Sequence, residues 1–373
     1  MTPRARFVVS ATSAVVLAFL PIVAMYIVFL NVARGGLVTD FEQAFYPAAE
    51  ALTDGESPYP GLDDPVIAAG KAYVYPPLTA IASIPLTLLS VDAAGFVVMA
   101  LLVLGVLGTL AVLGVRDWRC YGLVLIWPPV ISAIQTGNIT ILLGLGAALA
   151  WRFRDSGVKT GFALGVSLAA KVILWPLLLW LAATSRLRAL TLSAFVGGFV
   201  VLVSWAAIGF DGVQAYPDLL RRLQELEEPH GYSVYALAGD LGATPTLSRA
   251  LGLVLAGALL AGVVVLARRG DDRRAFVLAV AAALACSPIV WLHYFALLVV
   301  AVAVAEPHLG LAWFVPLLMY FSTGTYNGST GQTAITIAAA ALTVAVALRP
   351  AQLRFSSARI RGRRSAIPLE RSP

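Results

Sequence analysis

The chain has 373 residues, 60% of them hydrophobic and only 12% charged, with a formal net charge of +6 and a mean hydropathy of +0.86. A soluble domain cannot hide that much apolar surface, because its area-to-volume ratio forces more polar residues outward. The positive charge is concentrated in the stretch "RFSSARIRGRRSAIPLER", which suits anionic lipid headgroups and does not point to nucleic acid. Cys120 and Cys286 lie in or beside apolar runs and give no disulfide framework. The three histidines are spread far apart and offer no metal-ligand spacing. Composition therefore predicts an all-α integral membrane protein, a polytopic helical bundle.

In chain order, the first apolar run, Phe7 to Leu30, follows Arg4 and Arg6. It is longer than the core of a cleaved signal peptide, so it reads as a retained first span with its N-terminus in the cytoplasm. A polar loop follows, from about 31 to 75. Apolar stretches then recur at 77–90, 94–114, 120–134, 139–151, 160–184, 189–209, 247–267, 275–305, 311–322 and 332–348. A helix of about 20 apolar residues crosses a bilayer core of roughly 30 Å. Several of these stretches are shorter, and two are interrupted near Trp175-Pro176 and Ser287-Pro288. The pattern predicts about 11 to 13 membrane helices, some kinked or incomplete, since membrane helices tolerate proline where neighbours satisfy the freed carbonyls.

Basic residues mark the cytoplasmic side. Arg186, Arg188, Arg268, Arg269, Arg273, Arg274, the segment 152–159 and the tail 349–373 fall there, and the loops 31–75 and 210–246 fall outside. Arg116 and Arg119 conflict with strict alternation, which places them outside unless one short run fails to cross. The loop 210–246 holds an amphipathic piece from Pro217 to Glu228, with Leu219, Leu220, Leu223 and Leu226 on one side, expected to lie flat on the outer membrane surface. The domain organisation is one membrane unit, 1–348, and a basic tail, 349–373.

The first loop contains "TDFEQAFYPAAEALTDGESPYPGLDDP", where Asp40 and six further acids gather just after the first span. Phe41, Ala44, Phe45, Ala48, Ala49 and Leu52 form an apolar stripe at helical spacing, which predicts an interfacial helix kinked or restarted at Pro47. Two readings fit Asp40. It can act chemically where span, helix and water meet, or it can form a capping box with Gln43. Glu50, Asp54, Glu56, Asp63 and Asp64 read as a solvated face and turn residues.

The first span, this loop and "YVYPPLTAIASIPLTLL" resemble the start of glycosyltransferase family 87. The resemblance continues through "IQTGNITILLGLGAALAWRFRDSG", "GFALGVSLAAKVILWPLLLWLAATSRLRAL", "GYSVYALAGDLG" and "CSPIVWLHYFALLVV", over nearly the whole chain up to the tail. It implies the GT-C fold and use of a polyprenyl-phosphate sugar. Its implied partners are that donor, a glycolipid acceptor and membrane lipids. Similar members are polyprenyl-phosphate-mannose-dependent mannosyltransferases that extend phosphatidylinositol mannosides and lipoglycans in actinobacteria, and some relatives transfer arabinofuranose instead. The resemblance also implies an active site on the outer face of the cytoplasmic membrane, with Asp40 as the base of an inverting transfer. No cofactor is expected, because a lipid phosphate is its own leaving group.

Lys171 lies inside an apolar run, where a charge usually faces a cavity or a partner. It reads either as a contact for the donor phosphate or as a snorkelling or ion-paired residue. His293, in "SPIVWLHYF", reads as a second phosphate contact or as a core histidine. Family members often carry an acid just before this histidine, where this chain has Leu292. Gln135 and Asn138 flank Gly137 and either bind sugar hydroxyls or close a polar turn. Tyr59, Tyr73, Tyr75 and Trp291 suit sugar stacking or an aromatic belt. His230, with Tyr232 and Ser233, is a candidate for the acceptor site. The rival of another class is a transporter or flippase, but the matched broken helices of inverted repeats are not evident.

Overall fold

The structure, a computed structural model, describes residues 3–33, 39–322 and 329–349. The expected basic tail lies outside the described residues apart from Arg349. All regular structure among the described residues is helical. Five helices are long and apolar enough to cross a membrane: Phe7–Asn31, Val91–Val112, Leu187–Ala207, Pro245–Arg268 and Thr330–Ala347. The pair Pro128–Thr136 and Thr140–Arg152, bent by 118°, makes a sixth if it is counted as one broken span. Shorter apolar helices fill the space between them. Exposed Phe195, Phe199, Leu202, Leu253 and Val254 give the bundle the apolar exterior that contact with lipid requires.

Two prolines shape the N-terminal part by the same device. Pro21 cannot donate to the carbonyl of Leu17, and the helix accommodates it with a wide π turn at Val15–Phe19. Gly122, in the helix Trp118–Leu125, presses on that carbonyl so closely that a Cβ would lie 1.6 Å from its oxygen. A second π turn, Phe41–Phe45, precedes Pro47. The backbone stays helical through Phe45 into the helix Tyr46–Thr53, which carries Pro47 in its first turn.

The run 77–90 does not cross. It folds into Pro77–Ser83 and the 3-10 helix Ile84–Leu88, both packed on Tyr46–Thr53, and the Tyr46 hydroxyl donates to the Leu89 carbonyl at 2.8 Å. This resolves the conflict over Arg116 and Arg119. Asp117 accepts from the Leu309 N–H at 3.3 Å, while Glu306 acts electrostatically on both Cys120 and Arg273. Arg116 and Arg119 thus share one end of the bundle with Arg273, whose guanidinium donates to the Ala347 and Arg349 carbonyls. Arg119 grips Asp117 through two side-chain hydrogen bonds and holds its carboxyl down to about 2.

At the same end, Asp272 ties three connections together. It accepts two bonds from Arg186 at 2.8 Å and one from Trp180 Nε1 at 2.7 Å, and Arg154 stands 3.3 Å away. Asp272→Asn is expected to lower stability by about 2–3 kcal/mol, because it strips the charge from a half-buried acceptor of several donors. Unfolding of the purified protein in detergent measures this loss.

The helix Gly157–Ala170 packs on Leu187–Ala207 through Gly161 and Gly165, the spacing that lets membrane helices approach closely. A Cβ on Gly165 would lie 2.8 Å from Val196 Cβ and 2.9 Å from the Ser193 carbonyl oxygen. Gly165→Val is expected to cost about 1–3 kcal/mol by overpacking. Gly198→Val, on the facing helix but with open space around it, is expected to be tolerated. Thermal unfolding of the two variants side by side checks the pair.

From the arginine-rich end, three helical pairs rise and turn back: Pro128–Thr136 with Thr140–Arg152, Gly157–Ala170 with Val172–Ala183, and Asp272–Ala285 with Leu292–Ala305. Helices no longer than 14 residues rise at most about 21 Å at 1.5 Å per residue, short of a bilayer core of roughly 30 Å. Their turning points therefore lie within the membrane's thickness. The second turn falls at Lys171, four residues before the expected break at Trp175-Pro176. The third falls across Cys286–Trp291, as the proline at 288 suggests.

The amphipathic piece of the second loop forms the helix Tyr216–Glu227. It does not use its apolar side on the membrane alone. Leu219 is buried with Ile67 and Ala72, and Leu226 packs on the same small cluster. The Tyr216 hydroxyl donates to the Val74 carbonyl at 3.0 Å. The two long loops thus pack on each other.

Candidate active site

Asp40 stands immediately before the π turn Phe41–Phe45, and burial of Phe41, Ala44 and Phe45 turns its backbone toward the bundle. Its side chain does not cap the helix, so the capping-box arrangement with Gln43 is not formed. Instead, Asp40 Oδ2 accepts from Asn138 Nδ2 at 2.5 Å. Burial pushes the Asp40 carboxyl above its ordinary value, and the Asn138 amide and the Lys171 charge pull it back. Glu50, Asp54, Glu56, Asp63 and Asp64 are all exposed, and Asp64 caps a short helix through the Val66 N–H. Of these acids, Asp40 is the one directed inward.

Asn138 is fully buried at the first turn, just after Gly137, whose φ of 69° reverses the chain. Its Oδ1 accepts from the Thr140 N–H at 2.9 Å and from the Thr140 hydroxyl at 2.6 Å. Its Nδ2 also reaches the Tyr75 hydroxyl at 3.3 Å.

Lys171 occupies the second turn, in extended backbone between two helices. Its Nζ donates to the Tyr294 hydroxyl at 2.5 Å and to the Tyr75 hydroxyl at 3.5 Å. It also lies 3.8 Å and 4.9 Å from those two ring centroids, within cation–π range. His293 begins the segment that returns from the third turn and is 6% exposed. Its Nε2 stands 3.9 Å from Asp40 Oδ2 and has no hydrogen-bond partner among the described residues. A buried nitrogen left unpaired costs free energy unless something arrives to satisfy it. The carboxylate beside this histidine comes from Asp40, distant in sequence, and not from position 292.

The structure thus gathers Asp40, Asn138, Tyr75, Lys171 and His293 into one site. Trp291 starts the turn that carries His293. Tyr59 stacks on Trp205 at 5.2 Å and donates to the Tyr75 carbonyl, so it braces the loop behind the site. Tyr73 bonds Thr79 and the Ala80 N–H and plays a similar part. Gln135 is half-buried on the helix before Gly137, and no hydrogen bond joins it to the cluster among the described residues. His230 is exposed in the outer loop, with Nδ1 2.9 Å from the Leu226 carbonyl oxygen, and does not join the cluster. Two cluster members escaped sequence reasoning. Tyr294 adjoins His293 in "HYF", and Thr140 follows Asn138 at the two-residue spacing of an Asx turn.

A cavity of about 790 Å³ lies behind the third turn, between Pro245–Arg268 and Thr330–Ala347, with Asp272–Ala285 as its floor. The three helices present small residues to it, among them Gly252, Ala256, Ala281, Ala285, Ala340 and Ala341. One end of it is polar, with Tyr232, Ser233 and an Arg249–Glu228 pair at 3.8 Å. The wall between cavity and cluster is the 3-10 helix Leu292–Leu297. Side chains three apart align on such a helix, so Phe295 and Leu298 face the cavity, while His293 faces Asp40.

This is a helical membrane protein in which an acid from the first loop meets a lysine and an unpaired histidine carried at two buried turns, with an apolar cavity alongside. Its class is that of membrane glycosyltransferases. The chain matches glycosyltransferase family 87 over residues 73–290, more than half its length, and belongs to that family. The matched stretch holds Tyr75, Asn138 and Lys171, while Asp40 and His293 lie outside it. No curated protein and no solved structure matches the chain.

Proposed function

We propose that this glycosyltransferase moves mannose from a polyprenyl-phosphate carrier to a glycolipid or lipoglycan acceptor of the phosphatidylinositol mannoside type. The reaction takes place toward the outer face of the cytoplasmic membrane. The observation that carries the reading is the convergence of Asp40, from the first loop, on Lys171 and His293, which stand at turns of short helical pairs. The arginine-rich end opposite them faces the cytoplasm by the positive-inside rule.

In the reaction, the acceptor hydroxyl oxygen attacks the anomeric carbon from the face opposite the phosphate. The new carbon–oxygen bond forms as the bond to the phosphate oxygen breaks, and the electron pair leaves with the lipid phosphate. Asp40 takes the hydroxyl proton. Lys171 and the His293 imidazole stabilise the charge that builds on the phosphate, in a site where such interactions are strong. The donor carries its own leaving group, so the transfer needs neither nucleotide site nor metal. Inversion turns a β-linked donor into an α-linked product.

The apolar cavity supports a lipid substrate, since its lining suits hydrocarbon. The test uses membranes containing the full-length protein, labelled polyprenyl-phosphate-mannose and short lipomannan acceptors. Mannose incorporation is the expected result. Incorporation only from polyprenyl-phosphate-arabinose moves the donor assignment. Lipid movement without bond formation overturns the reading.

A further inference from the structure

Asn138 is held by Thr140 in a way that decides what its amide can do. The Thr140 backbone N–H can only donate, so the Asn138 atom it meets at 2.9 Å must be the carbonyl oxygen. The Thr140 hydroxyl, at 2.6 Å, donates to the same oxygen. With Oδ1 so occupied, the NH2 group is obliged to point the other way, where it meets Asp40 Oδ2. Asn138 is completely buried, so water cannot compete for either end.

We infer that Asn138 and Thr140 are a positioning pair for Asp40: Thr140 fixes the amide, and the amide holds one carboxylate oxygen so that the other, Oδ1, faces the acceptor hydroxyl. The inference rests on the proposed role of Asp40 as base. It replaces the expectation that Asn138 binds sugar hydroxyls, because its hydrogen-bonding groups are engaged by Thr140, Asp40 and Tyr75. The pair also works against protonation of Oδ2, since a protonated oxygen there would meet an N–H with no lone pair to receive it. The charged and titratable groups around Asp40 are Lys171, His293, Tyr75 and Tyr294, on three other segments.

The test compares the wild-type protein with Asn138→Ala, Thr140→Val and Thr140→Ser in membranes, with donor and acceptor varied separately from pH 5 to 9. Asn138→Ala is expected to lower kcat about 10- to 100-fold, the usual loss on removing an orienting partner. The KM values for both substrates should change little. Its acidic limb should move to higher pH, because a hydrogen bond that favours ionised Asp40 is gone. Thr140→Val should shift the limb in the same direction by less, and Thr140→Ser, which restores the hydroxyl, should return it toward wild type. A raised KM for the acceptor with an unmoved limb would assign Asn138 to sugar binding and overturn the inference. Loss of activity in step with protein abundance, again with an unmoved limb, would reduce the pair to a folding element and overturn it too. If Asn138→Ala does not accumulate, the two threonine variants decide the matter by the same limb. Absence of wild-type transfer from the polyprenyl-phosphate sugars indicts the functional reading instead.

Discussion

Asp40→Asn is expected to lower sugar transfer by at least a factor of about 10²–10⁴, the usual contribution of a positioned acid or base. The protein should remain folded. An amide can still accept the Asn138 hydrogen bond through its carbonyl oxygen, and it removes a carboxylate that burial disfavours. The direction of that disfavour sets two pH dependences. With Asp40 as the proposed base, transfer requires its ionised form and should fall as pH drops through a value above the ordinary carboxylate range. Stability has the opposite sign. Between the ordinary and the raised value the folded protein holds the extra proton, so stability declines as pH rises through that window. Asp40→Asn should remove that decline. Incorporation of labelled mannose, with unfolding of the same preparations across pH, reads both. Wild-type turnover in the variant would remove Asp40 from the mechanism.

Lys171→Met is expected to reduce kcat/KM for the donor about 10²–10³-fold, the scale seen when one stabilising group is lost from a developing anion. The acceptor KM should be little affected. Methionine fills similar space between Tyr75 and Tyr294 without a charge, so the bundle should fold and be no less stable. Lys171→Arg is the informative companion. It keeps the charge but places a planar fork where a compact ammonium sits between two rings, and partial activity is expected. A Lys171→Met variant with unchanged donor kinetics would leave the lysine a purely architectural part in the aromatic clamp.

The membrane class was plain from composition, and Asp40 stood out because it follows directly on a long apolar run. Lys171 was legible for a related reason, as a lone charge in a greasy segment. Their meeting was not legible. Asp40 and Asn138 are 98 positions apart, and Lys171 and Tyr294 are 123 apart. What joins them is that three helical pairs turn back early, and hydropathy cannot distinguish a short crossing from a turn inside the membrane. The run 77–90 shows the same limit. Its composition is that of a span, yet Pro77 and Pro85 divide it into two short helices that lie on the loop. Tyr59 and His230 were plausible by residue type alone, and tertiary packing gave the first to Trp205 and the second to the loop surface. For Asn138 the sequence leaves open sugar binding or the closing of a polar turn, and only the Thr140 contacts reveal which way its amide faces.

The Asp272 clasp has a mechanical corollary. One carboxylate anchors the feet of segments that carry Lys171 and His293 at their far tips, so the bundle resembles levers hinged at a common base. On the proposed function, a bulky lipid-linked donor would be admitted by the tips parting while the hinge stays closed. Asp272→Asn should loosen the grip on substrate even though the mutated atom lies at the opposite pole of the molecule.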